Sequence, residues 1–144
     1  LITIKKITAD NWYACTLLEP TEEQRVLFPA PAVFWLAEAA YCGMNALALY
    51  AEKNIVGFAV YAIDPEDEHY WIMAFMIDRR YQSKGYGRFG MQELVKHIHN
   101  EHQCEVIRLG HRPNNERAAQ LYASLGFTEI NQTEYEVIRQ LSFE

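Results

Sequence analysis

The sequence predicts a mixed α/β domain whose sheet is covered on both faces, and three observations predict it. Between residues 46 and 77, three strand-like apolar runs follow one another with no helical stretch among them. Helical patterns precede that block and alternate with further strand-like runs after it. The third apolar run, WIMAFMI, then passes through a glycine-bearing turn straight into an amphipathic segment, RFGMQELVKHI. At 144 residues the chain suits one domain, 1–144, large enough to bury about two-thirds of its unfolded surface.

Taken in order, Ile2 and Ile4 alternate with Thr3 and Lys5, a modest strand signal. Asp10 stands as an N-cap for NWYACTLLE, which Pro20 closes. A second helix is expected over 22–28, before Pro29 and Pro31. A third, VFWLAEAAYC, ends at Gly43, well placed just past a helix C-terminus. ALALYAE and IVGFAVYAI, joined by a turn at Lys53 and Asn54, read as a hairpin. The acidic loop DPEDE separates them from HYWIMAFMI. After the glycine turn a helix runs to about His102, CEVIRLG is a further strand, and Asn115 begins the helix NERAAQLYASL that Gly126 terminates. FTEIN and YEVIRQLSF form a closing hairpin.

Composition narrows the function. Half the residues are apolar and 22% are charged, as in an ordinary globular protein. A net charge of −6 argues against nucleic-acid binding and suits a cationic partner. Cys15, Cys42 and Cys104 are widely spaced and form no C-x-x-C pair, which favours reduced thiols in a cytoplasmic protein. No apolar stretch approaches 18 residues, so no membrane span is expected. LITIKKITAD is too short and polar for a secretory signal, and the missing initial methionine suggests that a residue or two is absent.

Two stretches carry chemistry. In the first, Gly85 and Gly87 let backbone approach a ligand closely. The helix that follows presents free N–H groups and the positive end of its dipole. A phosphate would be held there mainly by backbone, with Lys84 and Arg88 adding charge at the rim. The string GYGRFG matches G-x-G-x-x-G formally. A dinucleotide fold, however, needs it after the first strand, with an acid about 20 residues on. Here it follows several strands, and Glu105 is badly placed. No G-x-x-x-x-G-K-[ST] or G-x-S-x-G occurs. His99 and His102 share a helix face but lack a third ligand at a fixed offset, so no metal is expected. The second stretch, 112–127, is a helix whose Ala118, Leu121, Tyr122 and Leu125 form a core face. Core packing does not explain the tyrosine, because a buried hydroxyl needs a partner.

Together the two stretches resemble the GNAT superfamily of acetyl-CoA-dependent N-acetyltransferases. Gln82 to Gly87 fits that family's [QR]-x-x-G-x-[GA] loop, and Asn115, Ala118, Leu121, Tyr122, Gly126 and Phe127 fit N-x-x-A-x-x-L-Y-x-x-x-G-F. The order of elements is also the family's, over essentially the whole chain. Within it, FMIDRRYQSKGYG and the terminal YEVIRQL look most like bacterial spermine/spermidine (diamine) acetyltransferases. The resemblance implies a central, mostly antiparallel sheet with helices on both faces and a splay between the fourth and fifth strands. It implies that the backbone of Phe75, Met76 and Ile77 pairs with the pantetheine arm of acetyl-CoA. Gln82, Ser83, Lys84, Gly85, Tyr86, Gly87 and Arg88 would cradle the pyrophosphate, and Asn115 would bond the arm. Tyr122 would lie near the sulfur, as general acid for the thiolate. A phenol of pKa about 10 can protonate such a thiolate while staying neutral at rest.

One departure bears on the acceptor. Polyamine-acetylating members of the family often carry carboxylates just before the cofactor-pairing run, where Met73 and Ala74 stand here. An alkylammonium near pKa 10 must lose a proton before it attacks. Glu38 and His111 are the candidates for contact with the amine, with His69 behind them. The expected function is acetyl transfer from acetyl-CoA to a small cationic amine, first a polyamine, by direct attack in a ternary complex. No residue is placed as an acyl-enzyme nucleophile. Alternatives are a peptide N-terminus, a lysine or an amino sugar as acceptor, or a non-catalytic acyl-CoA-binding module. The resemblance also implies a homodimer.

Overall fold

A computed structural model describes residues 1–26 and 30–143. Its elements run β1 (Thr3–Lys6), α1 (Trp12–Thr16), α2 (Glu22–Arg25), α3 (Ala32–Cys42), β2 (Asn45–Ala51), β3 (Asn54–Ile63) and β4 (Tyr70–Ile77). A 3₁₀ turn (Arg79–Tyr81) leads to α4 (Tyr86–His102), β5 (Val106–His111), α5 (Glu116–Ser124), β6 (Thr128–Gln132) and β7 (Val137–Ser142). The strands form one sheet in the order β1-β2-β3-β4-β5-β7-β6, antiparallel throughout except for β4 against β5. This is the mixed α/β architecture the sequence implies.

Helices cover both faces, which is why the central strands read as nearly continuous apolar runs. On one face Leu47, Ala59, Ile107 and Leu109 pack against Met91, Leu94 and Ile98 of α4 and against Phe127. On the other, Ala48, Phe58, Val60 and Met76 meet Cys15, Leu18, Ala32 and Ala39 from the α1 and α3 side. Burying each fully enclosed leucine or isoleucine of these layers stabilises the fold by about 1.5–3 kcal/mol.

The local differences from the expected elements have identifiable causes. Asn11, not Asp10, precedes α1. Its amide accepts the Thr8 N–H at 2.7 Å and donates to the Lys6 carbonyl at 3.1 Å, so the chain turns one residue later. α1 also stops at Thr16, short of the expected end, because the next segment is pulled away: the Glu19 N–H donates to buried Asp78 at 2.8 Å. α2 ends at Arg25 and opens with a capping box between Thr21 and Gln24; the rest of the expected helix, Leu27 and Phe28, lies outside the described residues. The β2–β3 turn is Glu52 and Lys53 rather than Lys53 and Asn54, since Asn54 already pairs with Ala51 and Glu52 takes the left-handed conformation at φ +56°. Gly43 ends α3 in the left-handed region at φ +70°, as its position suggests.

Candidate active site

The site lies where β4 and β5 part. Their parallel ladder covers only three pairs, Tyr70–Ile107, Trp71–Arg108 and Ile72–Leu109. At the next residue the β3–β4 register slips: Val60 pairs with Ala74, but Tyr61 pairs with Ile72. Met73 is therefore the extra residue of a β-bulge, which bends and twists its strand. Packing records the change. Ile72 belongs to the α4 face, whereas Ala74 and Met76 belong to the α1–α3 face; an undistorted strand would put all three on one side. Beyond the bulge the strands diverge, and a cleft of about 920 Å³ opens between them. This is the expected splay. The bulge that starts it carries no signal in the sequence.

One wall is the free edge of β4. The Asp78 N–H donates to the Val56 carbonyl at 2.7 Å, and backbone groups alternate in direction along a strand. The N–H and C=O groups of Phe75 and Ile77 thus turn into the cleft, while those of Met76 turn to β3. A Cβ on Gly57 would strike the Met76 carbonyl, so the glycine admits that approach. The Ile77 carbonyl is taken by Gln82 Nε2 at 2.7 Å, which also reaches Gln24 Oε1 at 3.3 Å. An extended arm laid along this edge would find its partners on Phe75 and on the Ile77 N–H. Met76 was expected among those partners, but its backbone is committed to the sheet.

The floor is the turn into α4. Asp78 anchors its start: Oδ2 accepts from Arg80 Nε at 2.7 Å and from the Arg80 N–H at 3.2 Å. Ser83 at φ +63° and Gly85 at φ +82° then reverse the chain, so that a 17-residue helix opens into the cleft. The N–H groups of Tyr86, Gly87 and Arg88 precede the first bond of the helix, from the Phe89 N–H to the Gly85 carbonyl at 3.0 Å. Three such donors at the positive end of a long helix make a site for a phosphate-sized anion. Arg88 lines the cleft and its Nη1 donates to Ser124 Oγ at 2.6 Å, tying α4 to α5. Lys84 is exposed and does not line the cleft, unlike Gln82, Ser83 and the residues from Gly85 to Arg88.

α5 supplies the opposite wall. Asn115 caps it, its Oδ1 accepting the Ala118 N–H at 3.1 Å. That leaves the side-chain NH₂ for a ligand. Tyr122 packs between His111 and Phe127, each ring centroid 5.9 Å away. Its hydroxyl makes no hydrogen bond among the described residues, yet the side chain lines the cleft. Burial pushes the phenol up to about 12, so it stays protonated at neutral pH. The hydroxyl therefore holds its proton at rest, as a group that is to donate one to a ligand in the cleft must.

The two residues expected at the amine fare differently. His111 lines the cleft, but both ring nitrogens are engaged: Nδ1 with the Arg112 carbonyl at 2.9 Å, and Nε2 with Arg139 Nε at 3.0 Å. Arg139 can only donate, so Nε2 accepts and Nδ1 carries the proton. The lone pair a base would use is thereby occupied. Glu38 on α3 does not line the cleft, although Trp35, one turn earlier, does. Glu136 was not anticipated. It lines the cleft just before β7, brought there by strand pairing across the sheet.

The histidines of α4 have structural partners. His102 stacks on Tyr70 at 4.3 Å and bonds the Tyr61 hydroxyl at 2.9 Å, while His99 stacks on Phe143 and bonds the Cys104 carbonyl. Among the described residues no group of three or more His, Cys, Asp or Glu could hold a metal ion. No helix among them is long and apolar enough to cross a membrane.

Known proteins resemble the chain in sequence and in fold. The family described as the acetyltransferase (GNAT) family matches residues 5–127. The spermine/spermidine N(1)-acetyltransferase of Bacillus subtilis is 35% identical over 133 residues, which span 88% of this chain and 87% of that protein. Among solved structures, a spermidine N-acetyltransferase from Vibrio cholerae in complex with CoA and spermine superposes with a TM-score of 0.74 at 14% identity, over 96% of this chain and 92% of that one. An aminoglycoside acetyltransferase in complex with coenzyme A gives a TM-score of 0.80 at 13% identity, over 99% of this chain and 95% of that one. Likenesses of that order carry the fold and not the acceptor.

Proposed function

The chain belongs to the GNAT acetyltransferase family and uses acetyl-CoA as co-substrate, and we propose that its acceptor is a polyamine, spermidine or spermine, attacked directly in a ternary complex. The observation that carries acetyl transfer is the unpartnered, protonated Tyr122 hydroxyl at a splay floored by free helix N–H groups. What supports the polyamine is the 35% identity to the Bacillus enzyme and the acidic balance of the chain.

The residues fit the cofactor. Phe75 and Ile77 offer strand-like backbone partners to an amide-bearing arm, and the start of α4 offers N–H groups to a pyrophosphate. In this reading Gln82, Ser83 and the residues from Gly85 to Arg88 hold the anion, and the Asn115 NH₂ steadies the arm. Tyr122 donates its proton to the departing sulfur. With chemistry of this kind no acyl-enzyme is needed: burial raises the Cys15 thiol to about 11, and Cys104 is raised for the same reason, so neither is an activated thiolate. Work in the cytoplasm as a homodimer belongs to the same proposal; Cys15, Cys42 and Cys104 are all free thiols, as a reducing compartment allows.

The test is CoA release from acetyl-CoA across a panel of spermidine, spermine, an aminoglycoside, free lysine and a peptide. Spermidine and spermine should turn over, with KM rising as salt screens a polycation from an acidic protein. Turnover of the peptide or the aminoglycoside without the polyamines would replace the acceptor. CoA binding without release by any amine would leave a binding module.

A further inference from the structure

We propose that Glu136 receives the acceptor's ammonium group and takes its proton, and that Gly110 exists as glycine to seat that carboxylate. The proposal rests on the amine-acetylating reading and names the residue that reading lacks.

Sheet register places Glu136. Gly110 of β5 pairs directly with Ile138 of β7, and Glu136 stands two residues before Ile138. Residues two apart in an extended strand share a face, so Glu136 and Gly110 lie on the same side of the sheet. The Glu136 side chain folds flat over the bare Gly110 backbone. A Cβ built on Gly110 would collide with Glu136 Oε1 and lie 2.6 Å from Cδ and 3.0 Å from Cγ. Any other residue at 110 would therefore push the carboxylate away. Gly110 has no left-handed backbone to explain its identity, whereas the close approach of Glu136 does require a bare Cα.

Nothing else claims the carboxylate. No hydrogen bond or ion pair reaches it among the described residues, and Thr133 bonds only the Glu136 backbone. Arg139, the nearest cation in its strand, is spent on His111 Nε2 and on the Phe127 carbonyl. A lone carboxylate on the wall of a reaction cleft suits a cation.

It also stands on the appropriate side. Ile107, Leu109 and Phe127 pack with α4, the face from which the helix N–H groups reach the cleft. Gly110 alternates with Leu109, so Glu136 approaches from the opposite face, where Trp35 and Glu23 also line the cleft. An amine entering there comes within reach of the Glu136 carboxylate. The ammonium gives one proton to Glu136, which passes it to solvent, and the amine nitrogen then attacks the acetyl carbonyl. As the C–S bond breaks, Tyr122 gives its proton to the sulfur and regains one from the nitrogen. The products are amide, thiol and one released proton, so charge and atoms balance.

The experiment measures kcat/KM against pH for wild type, Glu136→Gln, Gly110→Ala and the double variant, using the amine of the panel that wild type acetylates best. Wild type should show a level kcat/KM between about pH 7 and 9, where ammonium and carboxylate coexist. In Glu136→Gln only free amine reacts, so kcat/KM should fall about 10²–10⁴-fold at pH 7 and climb close to tenfold per pH unit. Gly110→Ala should reproduce that profile in part while keeping the melting temperature, because only a flexible side chain must move. The double variant should be no worse than Glu136→Gln. Acetyl-CoA affinity by calorimetry should be unchanged in all of them. The other titratable or charged groups at this end of the cleft, Glu23, His111, Arg112, Glu116, Arg117, Tyr122, Tyr135 and Arg139, are common to every variant, so a change of slope belongs to Glu136. Wild-type kcat/KM and slope in Glu136→Gln overturn the proposal while the acetyltransferase reading stands. If polyamines fail but another amine serves, the polyamine reading alone falls, and Glu136 is judged with that amine. If wild type acetylates nothing, both fall.

Discussion

A hydroxyl without a hydrogen-bond partner distinguishes Tyr122 from an ordinary core tyrosine. Its ring packs against Phe127 and His111, so Tyr122→Phe keeps the packing and removes only the proton donor. Since the hydroxyl bonds nothing, stability should hardly change. General acid catalysis is typically worth about 10²–10⁴-fold, and kcat should fall within that range. kcat/KM should fall in parallel, with acetyl-CoA affinity intact, the pattern of an interaction made only in the transition state. A folded variant with wild-type kcat, where chemistry limits turnover, would remove the role. Tyr122 was legible in the sequence because its motif is local and lies on one helix. His111 was legible as a cleft residue, but not its tautomer, which Arg139 sets from 28 positions away. Glu136 was illegible for the same reason: the register between β5 and β7 puts it over Gly110.

The loop into α4 shows which glycines do what. Gly85 sits at φ +82°, so any side chain there strains the backbone by roughly 1–2 kcal/mol and confounds a binding test. Gly87 is helical, and a Cβ there meets only Leu121 Cδ2 at an ordinary 3.9 Å. Gly87→Glu is therefore the cleaner probe. It should leave the melting temperature within a few degrees while placing a negative charge among the N–H groups at the helix start. Two unit charges about 4 Å apart at an effective dielectric of 20 repel by roughly 4 kcal/mol. Acetyl-CoA affinity by calorimetry should drop by about a thousandfold, and Gly87→Ala should bind far better than Gly87→Glu. Equal affinities would mean the anion sits elsewhere. The loop and helix could be read in advance because glycine placement and periodicity are sequence-local. The bulge at Met73, by contrast, is a mismatch between two strands, and the apolar run that contains it reads as uniform.

At the scale of the molecule, a sheet that must open for a substrate is held together at one short seam. β1 to β4 form one half and β5 to β7 the other, joined by three residue pairs. Asp67 staples that seam. Its Oδ2 accepts from the Trp71 indole at 2.8 Å on β4 and from Arg108 Nη1 at 3.1 Å on β5, while Oδ1 accepts the His69 N–H at 2.9 Å. Trp71 and Arg108 are themselves a pair in the ladder. Burial alone would raise this carboxyl; the His69 N–H, the Trp71 indole and Arg108 outweigh it and hold the carboxyl below its ordinary 3.8. A lowered value means the folded state favours the charged form, so the stabilisation is complete above pH 3.8 and is lost as pH falls through the folded value. Hydrogen bonds to a charged group are worth about 1.5–3 kcal/mol each, with overlap between them. Asp67→Ala should thus cost roughly 2–3 kcal/mol at pH 7, or about 5–10 °C in Tm for a chain of this size. The deficit relative to wild type should shrink as the pH is lowered below 3.8. Hydrogen exchange should quicken first at β4 and β5 amides near the seam, because the halves share so few other strand contacts. A uniform rise in exchange, or a deficit that persists undiminished in acid, would mean that Asp67 does not hold the seam through its charge.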